Sequence, residues 1–319
     1  MFTISIIIPV KNGAATLAKC LKAIEDQQYN GKIETIVLDS ASTDESVAIA
    51  SNYGAKVIDI SPEEFNHGLT RNAGVKRATG DLVYFTVQDA WLAGLDNLQK
   101  MADHFNDKEV QSVTGMQAIP HDLNKNPALW FKRSGEPIAE VYQYNEKQPF
   151  NMLPPLQQKQ ICCWDNVNAM YRKSALLEQP FVRTSLSEDM IWAKQALEKG
   201  WKIVRDPALV VYHYHHHSFG YSFKVNFLEF YSAKKEFGIL PYYPATIIPF
   251  LKRVKTIFEN RNISWTKKPK WILHNAVMIS ALLLSVITFR FAYFLGNQKL
   301  IDKALKFFCP SIPQGKQHR

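Results

Sequence analysis

Two acidic segments, far apart in the chain, carry side chains well suited to chemistry. Val87-Gln88-Asp89 follows an apolar run, and Ser187-Glu188-Asp189-Met190 opens a helical pattern. A carboxylate at the first segment could hold Mg²⁺ or Mn²⁺ on the phosphates of a substrate. A carboxylate at the second could take the proton of an attacking hydroxyl group as a general base. Together the two segments suit the displacement of a diphosphate by a hydroxyl.

The adjacent carboxylates Glu188 and Asp189 cannot both be the base. Successive residues of a helix point about 100° apart, so only one of them can face a given atom. The other would be structural or would interact with the helix N-terminus. Position alone leaves the choice between them open.

A single aspartate is a weak metal signal, and a cluster of histidines offers a second ligand. His213 and His215 lie in the segment Tyr212-His213-Tyr214-His215-His216-His217-Ser218, which follows a predicted strand. Imidazole suits Mn²⁺ better than Mg²⁺, for which oxygen ligands are preferred. The same cluster could instead be a solvated turn or a surface that contacts phosphate.

Two further charged residues are candidates for substrate binding. Asp39 ends a predicted strand and could accept a hydrogen bond from a nucleotide base or a ribose, whereas Asp44, close by, is better interpreted as a helix cap. The guanidinium group of Arg71 could bind a diphosphate through two hydrogen bonds. Taken alone, Arg71 would be interpreted as a surface residue of a short helix.

The elements that must position these residues alternate between strand and helix in the first half of the chain. The apolar patterns predict strands at 4–10, 33–38, 56–60 and 82–87 and helices at 14–27, 44–52 and 70–78. Such alternation predicts an α/β fold with an open, mostly parallel sheet and helices on both faces. Ligands of these sheets bind beyond the carboxyl ends of the strands, where Asn12, Asp39 and Asp89 are expected.

The second half is less regular. Residues 115–170 contain several proline turns and could form an acceptor-binding region. A helix is predicted at 185–199, with Ser185 and Glu188 as its capping box, and strands are predicted at 202–204 and 208–212. Beyond residue 230 the sequence becomes aromatic, basic and helical.

The net charge of +9 over 319 residues indicates an anionic partner. Basic clusters at 252–255 and 267–270 precede Trp271 and an apolar run at 276–289, which favours a membrane surface over nucleic acid. That run is shorter than the roughly 20 residues of a spanning helix, so a helix lying in the membrane interface is predicted. A spanning helix is possible but not favoured, and a helix buried against the catalytic domain or a second subunit is the alternative.

The cysteines and the N-terminus bear on the compartment. The four cysteines show no zinc-site spacing and are interpreted as reduced thiols of a cytosolic protein. The N-terminal apolar run lacks the basic region of a signal peptide.

Several motifs, in order and at consistent spacing over residues 3–218, resemble those of one family. They are SIIIPVKNG, VLDSASTDES, FNHGLTRNAG, FTVQDA, NAMYRKSAL and SEDMIWAKQALEKGWKIVRDPALVVYHYHHHS. The sequence is similar to the family 2 glycosyltransferases of GT-A fold, and among them to bacterial rhamnosyltransferases. FTVQDA stands where the family has its DxD metal motif. SEDM stands where the family has its catalytic base.

The resemblance implies a Rossmann-like GT-A sheet with flanking helices and a helical C-terminal extension. The catalytic domain would be residues 1–230, with a nucleotide-sugar half at about 1–115 and an acceptor half at about 116–230. The extension, residues 231–319, would be membrane-associated. The implied reaction is the inverting transfer of a sugar to a hydroxyl of a cell-surface polysaccharide or lipid-linked glycan. The sugar that the resemblance favours is rhamnose, from dTDP-rhamnose. A dTDP- or UDP-sugar would be the donor, and the enzyme would lie on the cytoplasmic face of the inner membrane.

The resemblance also implies residue roles. Asp189 would be the base, and Asp89 would bind a divalent metal, Mg²⁺ or Mn²⁺, with His213 as first and His215 as second choice for an added ligand. Asp39 would contact the pyrimidine base and Arg71 the nucleotide. The predicted substrate-binding residues are Pro9, Asn12, Asp39, Arg71, Asn72, Gln88, Trp164, Asn168 and Glu188.

One departure from the family pattern concerns the metal motif. Val87 takes the place of its first aspartate, so metal dependence stays open, although rhamnosyltransferase-like enzymes share this QDA form. Two alternatives remain at this point. A nucleotidyltransferase would need a glycine-rich phosphate loop, which Lys11-Asn12-Gly13 does not supply. A nucleotide-sugar-binding protein without transfer activity has Val87 as its best support, and the retained Asp89, Asp189 and Arg71 count against it.

Overall fold

The computed structural model describes residues 1–132, 136–241 and 247–308. The chain divides into two compact units. Unit 1 consists of Met1–Ala118 and Arg133–Tyr214, and unit 2 consists of Ile119–Lys132 and His215–Arg319. The division of the sequence at residue 230 stays a prediction.

Unit 1 begins with alternating strands and helices. They are β1 (Ile4–Val10), α1 (Ala14–Glu25), β2 (Ile33–Asp39), α2 (Ser46–Asn52), β3 (Lys56–Asp59), α3 (His67–Arg77) and β4 (Leu82–Phe85). The β-branched side chains of β1 are buried on both faces, as expected of a central parallel strand covered by helices. β1 pairs in parallel with β2 and β4, and β2 pairs in parallel with β3.

The rest of unit 1 completes the sheet. Its elements are β5 (Trp91–Leu92), α4 (Asn97–Asp103), β6 (Val110–Ala118), β7 (Glu140–Tyr142), α5 (Pro155–Ile161), β8 (Ala169–Arg172), α6 (Lys173–Glu178), α7 (Glu188–Glu198) and β9 (Lys202–Tyr212). The described strands form one sheet in the order β3-β2-β1-β4-β8-β6-β9-β5, with β7 paired to β9.

The strand directions decide which residues meet. β8 is antiparallel to both β4 and β6, and β6 is parallel to β9. The strands β1, β2, β4, β6 and β9 therefore all end at the same side of the sheet, which we call the carboxyl edge. β8 begins there, so the residues just before Ala169 also belong to this edge.

Several predicted boundaries were wrong. α3 begins at His67, after Asn66 accepts a hydrogen bond from the Leu69 N–H (3.2 Å) as its N-cap. The capping box of Ser185 and Glu188 is not formed, because α7 begins at Glu188 after Ser187 in a left-handed conformation (φ 68°). β9 is one strand rather than two, and β6 was not identified in the sequence.

Unit 2 is helical. Its long helices are α8 (Phe219–Phe237), α9 (Ile247–Glu259) and α10 (Lys268–Phe308). Aromatic side chains such as Phe227 and Phe289 pack α8 on α10, with ring centroids 5.2 Å apart. Within α10, the segment Lys268–Gly296 is long and apolar enough to cross a membrane by length and composition. The apolar run at 276–289 is thus part of a longer, 29-residue apolar segment, and whether this helix lies in a membrane interface or spans a membrane stays a prediction.

Candidate active site at the carboxyl edge

Asp39 ends β2 and is nearly inaccessible, with 4% of its surface exposed. Its Oδ2 accepts a hydrogen bond from the Ser42 N–H (3.0 Å). Its Oδ1 is buried and has no hydrogen-bond partner among the described residues. A buried carboxylate oxygen left in this state is costly unless a ligand donates to it. The geometry suits the predicted contact with a donor N–H or hydroxyl.

Predicted substrate-binding residues hydrogen-bond the loops after β1 and β4 to adjacent loops. The Oδ1 of Asn12, whose backbone is left-handed (φ 49°), accepts the Thr43 N–H (2.8 Å). The Gln88 amide accepts the Lys11 N–H (2.8 Å) and donates to the Lys11 carbonyl (3.3 Å). Pro9 lies in β1 opposite Leu38 of β2. These residues shape the carboxyl edge, and their contacts with substrate stay predictions.

Arg71 and Glu188 form a buried ion pair that the sequence did not reveal. The Arg71 Nη1 donates to the Glu188 Oε1 (2.6 Å), and both side chains are about as inaccessible as Asp39, at 6% and 5% exposure. The same Glu188 oxygen accepts a hydrogen bond from the Asn166 Nδ2 (3.3 Å). Glu188 is therefore engaged within the protein. The Nε of Arg71 is buried without a hydrogen-bond partner among the described residues.

Asp189, next in the chain, has a different environment. It is half-buried, and its Oδ2 accepts the Asn166 backbone N–H (3.0 Å). Burial raises the pKa of Asp189 to about 8, and the negative charges of Glu188 and Asp165 add to this rise. A general base works best with a pKa near the operating pH. Of the two adjacent carboxylates, Asp189 is thus the one whose surroundings suit proton transfer.

Asp89, beyond β4, and His213, beyond β9, come together at the carboxyl edge. The His213 Nε2 lies 3.4 Å from the Asp89 Oδ1, and each side chain is 11% exposed. The other ring nitrogen of His213, Nδ1, is 2.6 Å from the Gln117 Oε1. One carboxylate oxygen and one imidazole nitrogen facing each other fit a divalent cation such as Mn²⁺. His215 is the first residue of unit 2, and its role as a ligand stays a prediction.

Three other predicted substrate-binding residues use their polar atoms within the protein. Asn72 bonds both the N–H and the carbonyl of Phe181 (3.0 and 2.8 Å). The Trp164 indole donates to the Ser112 hydroxyl (2.9 Å). Asn168 accepts from the Tyr84 hydroxyl (3.0 Å) and donates to the Leu209 carbonyl (2.9 Å). The structure gives all three a scaffolding role, and substrate contact stays a prediction.

The structure adds Gln117, Asp165 and Asn166, which sequence reasoning missed. Gln117 donates to the Asp165 carboxylate, and Asn166 holds both Glu188 and Asp189. The cluster Asp165-Asn166-Val167-Asn168, directly before β8, was a signal in the sequence. Three short polar residues before a buried strand are typical of a loop that binds other side chains.

Comparisons with known proteins agree on one family. A family model described as glycosyl transferase family 2 matches residues 5–178. The chain is 34% identical over 223 residues to the O-antigen chain rhamnosyltransferase WbaN of Salmonella anatum, with 68% of each chain covered. It is 32% identical over 222 residues to the O-antigen chain rhamnosyltransferase RfbN of Salmonella typhimurium, with 67% of each covered.

Solved structures share the fold. The mannosyltransferase PcManGT from Pyrobaculum calidifontis, in complex with GDP-Man and Mn²⁺, aligns with a TM-score of 0.54 at 17% identity, covering 97% of this chain and 81% of that one. TarS 1–349 of S. aureus, in complex with UDP-GlcNAc, aligns with a TM-score of 0.53 at 15% identity, covering 98% and 82%. These likenesses confirm the predicted fold class.

Proposed function

This chain belongs to glycosyl transferase family 2 and is a glycosyltransferase, and from that premise we propose that it transfers rhamnose from dTDP-rhamnose to a glycan hydroxyl with inversion. The proposal depends above all on Asp189, a half-buried carboxylate with a raised pKa, held by Asn166 near the carboxyl edge. Family membership favours glycosyl transfer over nucleotidyl transfer. A protein that binds the donor without transferring it is the remaining alternative.

The donor is a sugar linked to a pyrimidine nucleoside diphosphate. Thymine and uracil carry a ring N–H, and the buried Oδ1 of Asp39 is an acceptor suited to such a donor group. The names of the two Salmonella relatives, both rhamnosyltransferases, support rhamnose as the sugar.

The chemical step is a single displacement. Asp189 accepts the proton of the acceptor hydroxyl while that oxygen attacks the anomeric carbon on the face opposite the diphosphate. The bond from the anomeric carbon to the diphosphate oxygen breaks, and the nucleoside diphosphate leaves with the electron pair. The anomeric configuration inverts because there is one displacement and no glycosyl-enzyme intermediate.

Asp89 and His213 are the residues that would hold a divalent cation, Mg²⁺ or Mn²⁺, with His215 as a further candidate. Such an ion would offset the negative charge on the departing diphosphate. The His213 imidazole favours Mn²⁺ over Mg²⁺. Both residues are mostly buried, so the pair is fixed before any substrate arrives.

The acceptor is a hydroxyl of a cell-surface polysaccharide or of its lipid-linked precursor. The relatives are named as O-antigen chain enzymes, which supports this class. The apolar helix α10 supports attachment to a membrane, and we assign the protein to the cytoplasmic face of the inner membrane.

The proposal is tested by incubating the full-length protein with dTDP-rhamnose or with common UDP- and GDP-sugars, each with a lipid-linked glycan acceptor. We expect release of dTDP and a rhamnosylated product of inverted anomeric configuration by ¹H NMR. A preference for a GDP-sugar would overturn the donor assignment, and retention of configuration would overturn the single displacement. Donor binding without any transfer would support the non-catalytic alternative.

A further inference from the structure

Four side chains from four segments form a continuous line at the carboxyl edge. Asp89 follows β4, Gln117 lies near the end of β6, His213 follows β9, and Asp165 precedes β8. β4, β6 and β9 end at this edge and β8 begins there, so the sheet itself brings these residues together. The line runs from Asp165 through Gln117 and His213 to Asp89.

Between Asp165 and the Nδ1 of His213, the hydrogen-bond chemistry of this line has one consistent solution. The Asp165 carboxylate only accepts hydrogen bonds when ionised, so the Gln117 amide must present its NH₂ to Asp165. The Asp165 Oδ1 also accepts the Val167 N–H (2.9 Å), which fixes the carboxylate itself. The amide oxygen of Gln117 then faces His213, at 2.6 Å from its Nδ1. Since that oxygen can only accept, Nδ1 must carry the proton.

We propose that Gln117, oriented by Asp165, is a positioning residue that holds His213 in its Nδ1–H tautomer and so directs the Nε2 lone pair toward Asp89. In the opposite tautomer, the lone pair of Nδ1 would face the Gln117 oxygen at hydrogen-bond distance. That form would turn an Nε2–H toward the Asp89 Oδ1, but this contact is 3.4 Å long, whereas the bond to Gln117 that it gives up is 2.6 Å long. The shorter bond, together with the repulsion, therefore disfavours this form. This role depends on the amide group of Gln117 and not on the size of its side chain.

The contacts from Asp165 through Gln117 to His213, which we call the relay, prepare His213 to bind a cation. This step rests on the proposed function. A neutral imidazole binds a divalent cation through its unprotonated nitrogen, which the partner of the other nitrogen determines. With Nε2 unprotonated and 3.4 Å from the Asp89 Oδ1, the two atoms form a pair of ligands before a cation arrives. Removing such a supporting contact in other proteins lowers metal affinity by about 10–100-fold.

The tautomer can be read without a metal or a substrate. Long-range ¹H–¹⁵N correlation spectra of full-length protein labelled with ¹⁵N-histidine, at about pH 8.5, where unperturbed imidazoles are neutral, distinguish Nδ1–H from Nε2–H. The His213 signal is assigned by its absence in His213→Gln. We expect Nδ1–H in the native protein and a shift toward Nε2–H in Gln117→Leu. A native Nε2–H tautomer, or no change in Gln117→Leu, would overturn the proposal.

Gln111→Leu is the matched control. Gln111 lies on the same strand as Gln117, and its amide bonds only to the Glu109 carbonyl (3.0 Å) among the described contacts, away from the histidine. Mn²⁺ affinity measured by electron paramagnetic resonance should fall about 10–100-fold in Gln117→Leu and stay unchanged in Gln111→Leu. Equal affinities in the two variants would contradict the positioning role.

A rescue separates the relay from a general structural effect. In Gln117→Glu alone, repulsion by the Asp165 carboxylate should displace the side chain at 117 from the His213 Nδ1–H, whereas adding Asp165→Asn restores a donor opposite an acceptor. The carboxylate at 117 then still accepts from the His213 Nδ1–H. We expect the double variant to recover the Nδ1–H tautomer that the single variant weakens, and failure to recover it would count against the relay. A native Nδ1–H tautomer with no Mn²⁺ binding would overturn the cation site of the proposed function while the relay stands.

Discussion

Glu188 and Asp189 are adjacent carboxylates, but their surroundings give them different chemical roles at this site. Glu188 is ion-paired with Arg71, whereas burial and then the negative charges of Glu188 and Asp165 oppose the ionisation of Asp189. The difference comes from the helix geometry, which sends the two side chains in different directions. The sequence alone could not separate their roles, because both partners are distant in the chain.

Asp189→Asn keeps the size of the side chain and removes the proton acceptor. We expect turnover to fall by about 10²–10⁴-fold, with dTDP-rhamnose affinity within a few-fold of the native value by calorimetry. In the native enzyme the active form is the deprotonated carboxylate. Because burial raises the pKa of Asp189 to about 8, turnover should increase as the pH rises through that value and level off above it. A rate that is already constant from about pH 5, near the ordinary range of a carboxyl group, would contradict the assignment.

The Arg71–Glu188 pair is expected to matter for stability. Glu188→Met removes the carboxylate and leaves the Arg71 charge buried, so the free energy of unfolding should fall by about 3–5 kcal/mol in urea titrations. Replacing both residues by methionine removes the uncompensated charge and should recover most of this loss. A double variant as unstable as Glu188→Met would mean that packing, and not charge, causes the effect.

At the scale of elements, the buried parallel strands were the most predictable part of the chain. β1 and β4 are almost entirely apolar, and β2 carries the apolar run Ile36-Val37-Leu38, because both faces of the sheet are covered by helices. β6 mixes Gln and Thr with apolar residues and contains Gly115. Its sequence therefore shows neither a continuous apolar run nor a regular alternation of apolar and polar residues. The start of α7 was mispredicted because its first residue pairs with Arg71 instead of capping the helix.

The same reasoning explains which site residues could be predicted. Asp39 ends β2 and Asp89 follows β4, so strand prediction alone locates them at the carboxyl edge. Gln117 and Asp165 lie 48 residues apart and meet only because β8 reverses direction between β4 and β6. A pairing that depends on strand order cannot be seen in a single sequence.

Gly115 is expected to be essential to the shape of β6. A Cβ at this position would collide with the Asn168 side chain and with the Leu209 carbonyl of β9, where the pairing of β6 with β9 shifts register. Gly115→Ala should lower the free energy of unfolding by about 1–3 kcal/mol and weaken Mn²⁺ binding, since Gln117 follows two residues later. Gly220→Ala is the control, because a Cβ there meets no atom within 4 Å and should cost no stability. Equal melting temperatures for the two variants would contradict the close-packing argument.

For the whole molecule, the main question is what covers the apolar surface of α10. Only 28% of its most apolar window is buried within the protein, so packing of unit 2 does not account for that hydrophobicity. Two residues predicted to flank a membrane helix instead face inward: Trp271 is buried, and the Lys268 Nζ donates to the Phe258 carbonyl (2.6 Å). Trp265, by contrast, is exposed. Fewer of the predicted aromatic and basic side chains are thus placed to contact a membrane interface, whereas the apolar segment is longer than predicted.

The exposed aromatic residues near the end of that segment give the test. Phe291 and Phe294 are 62% and 85% exposed, and burying both in lipid should stabilise binding by several kcal/mol. We expect full-length protein to float with anionic liposomes, and the double variant Phe291→Lys with Phe294→Lys to lose most of that binding. Ile138→Lys changes an equally exposed apolar residue of unit 1 and should leave binding unchanged.

Release by high salt with mild detergent would indicate a helix lying in the interface, whereas resistance to alkaline carbonate would indicate that Lys268–Gly296 spans the bilayer. Native protein that remains unbound at low salt would mean that another protein surface covers α10.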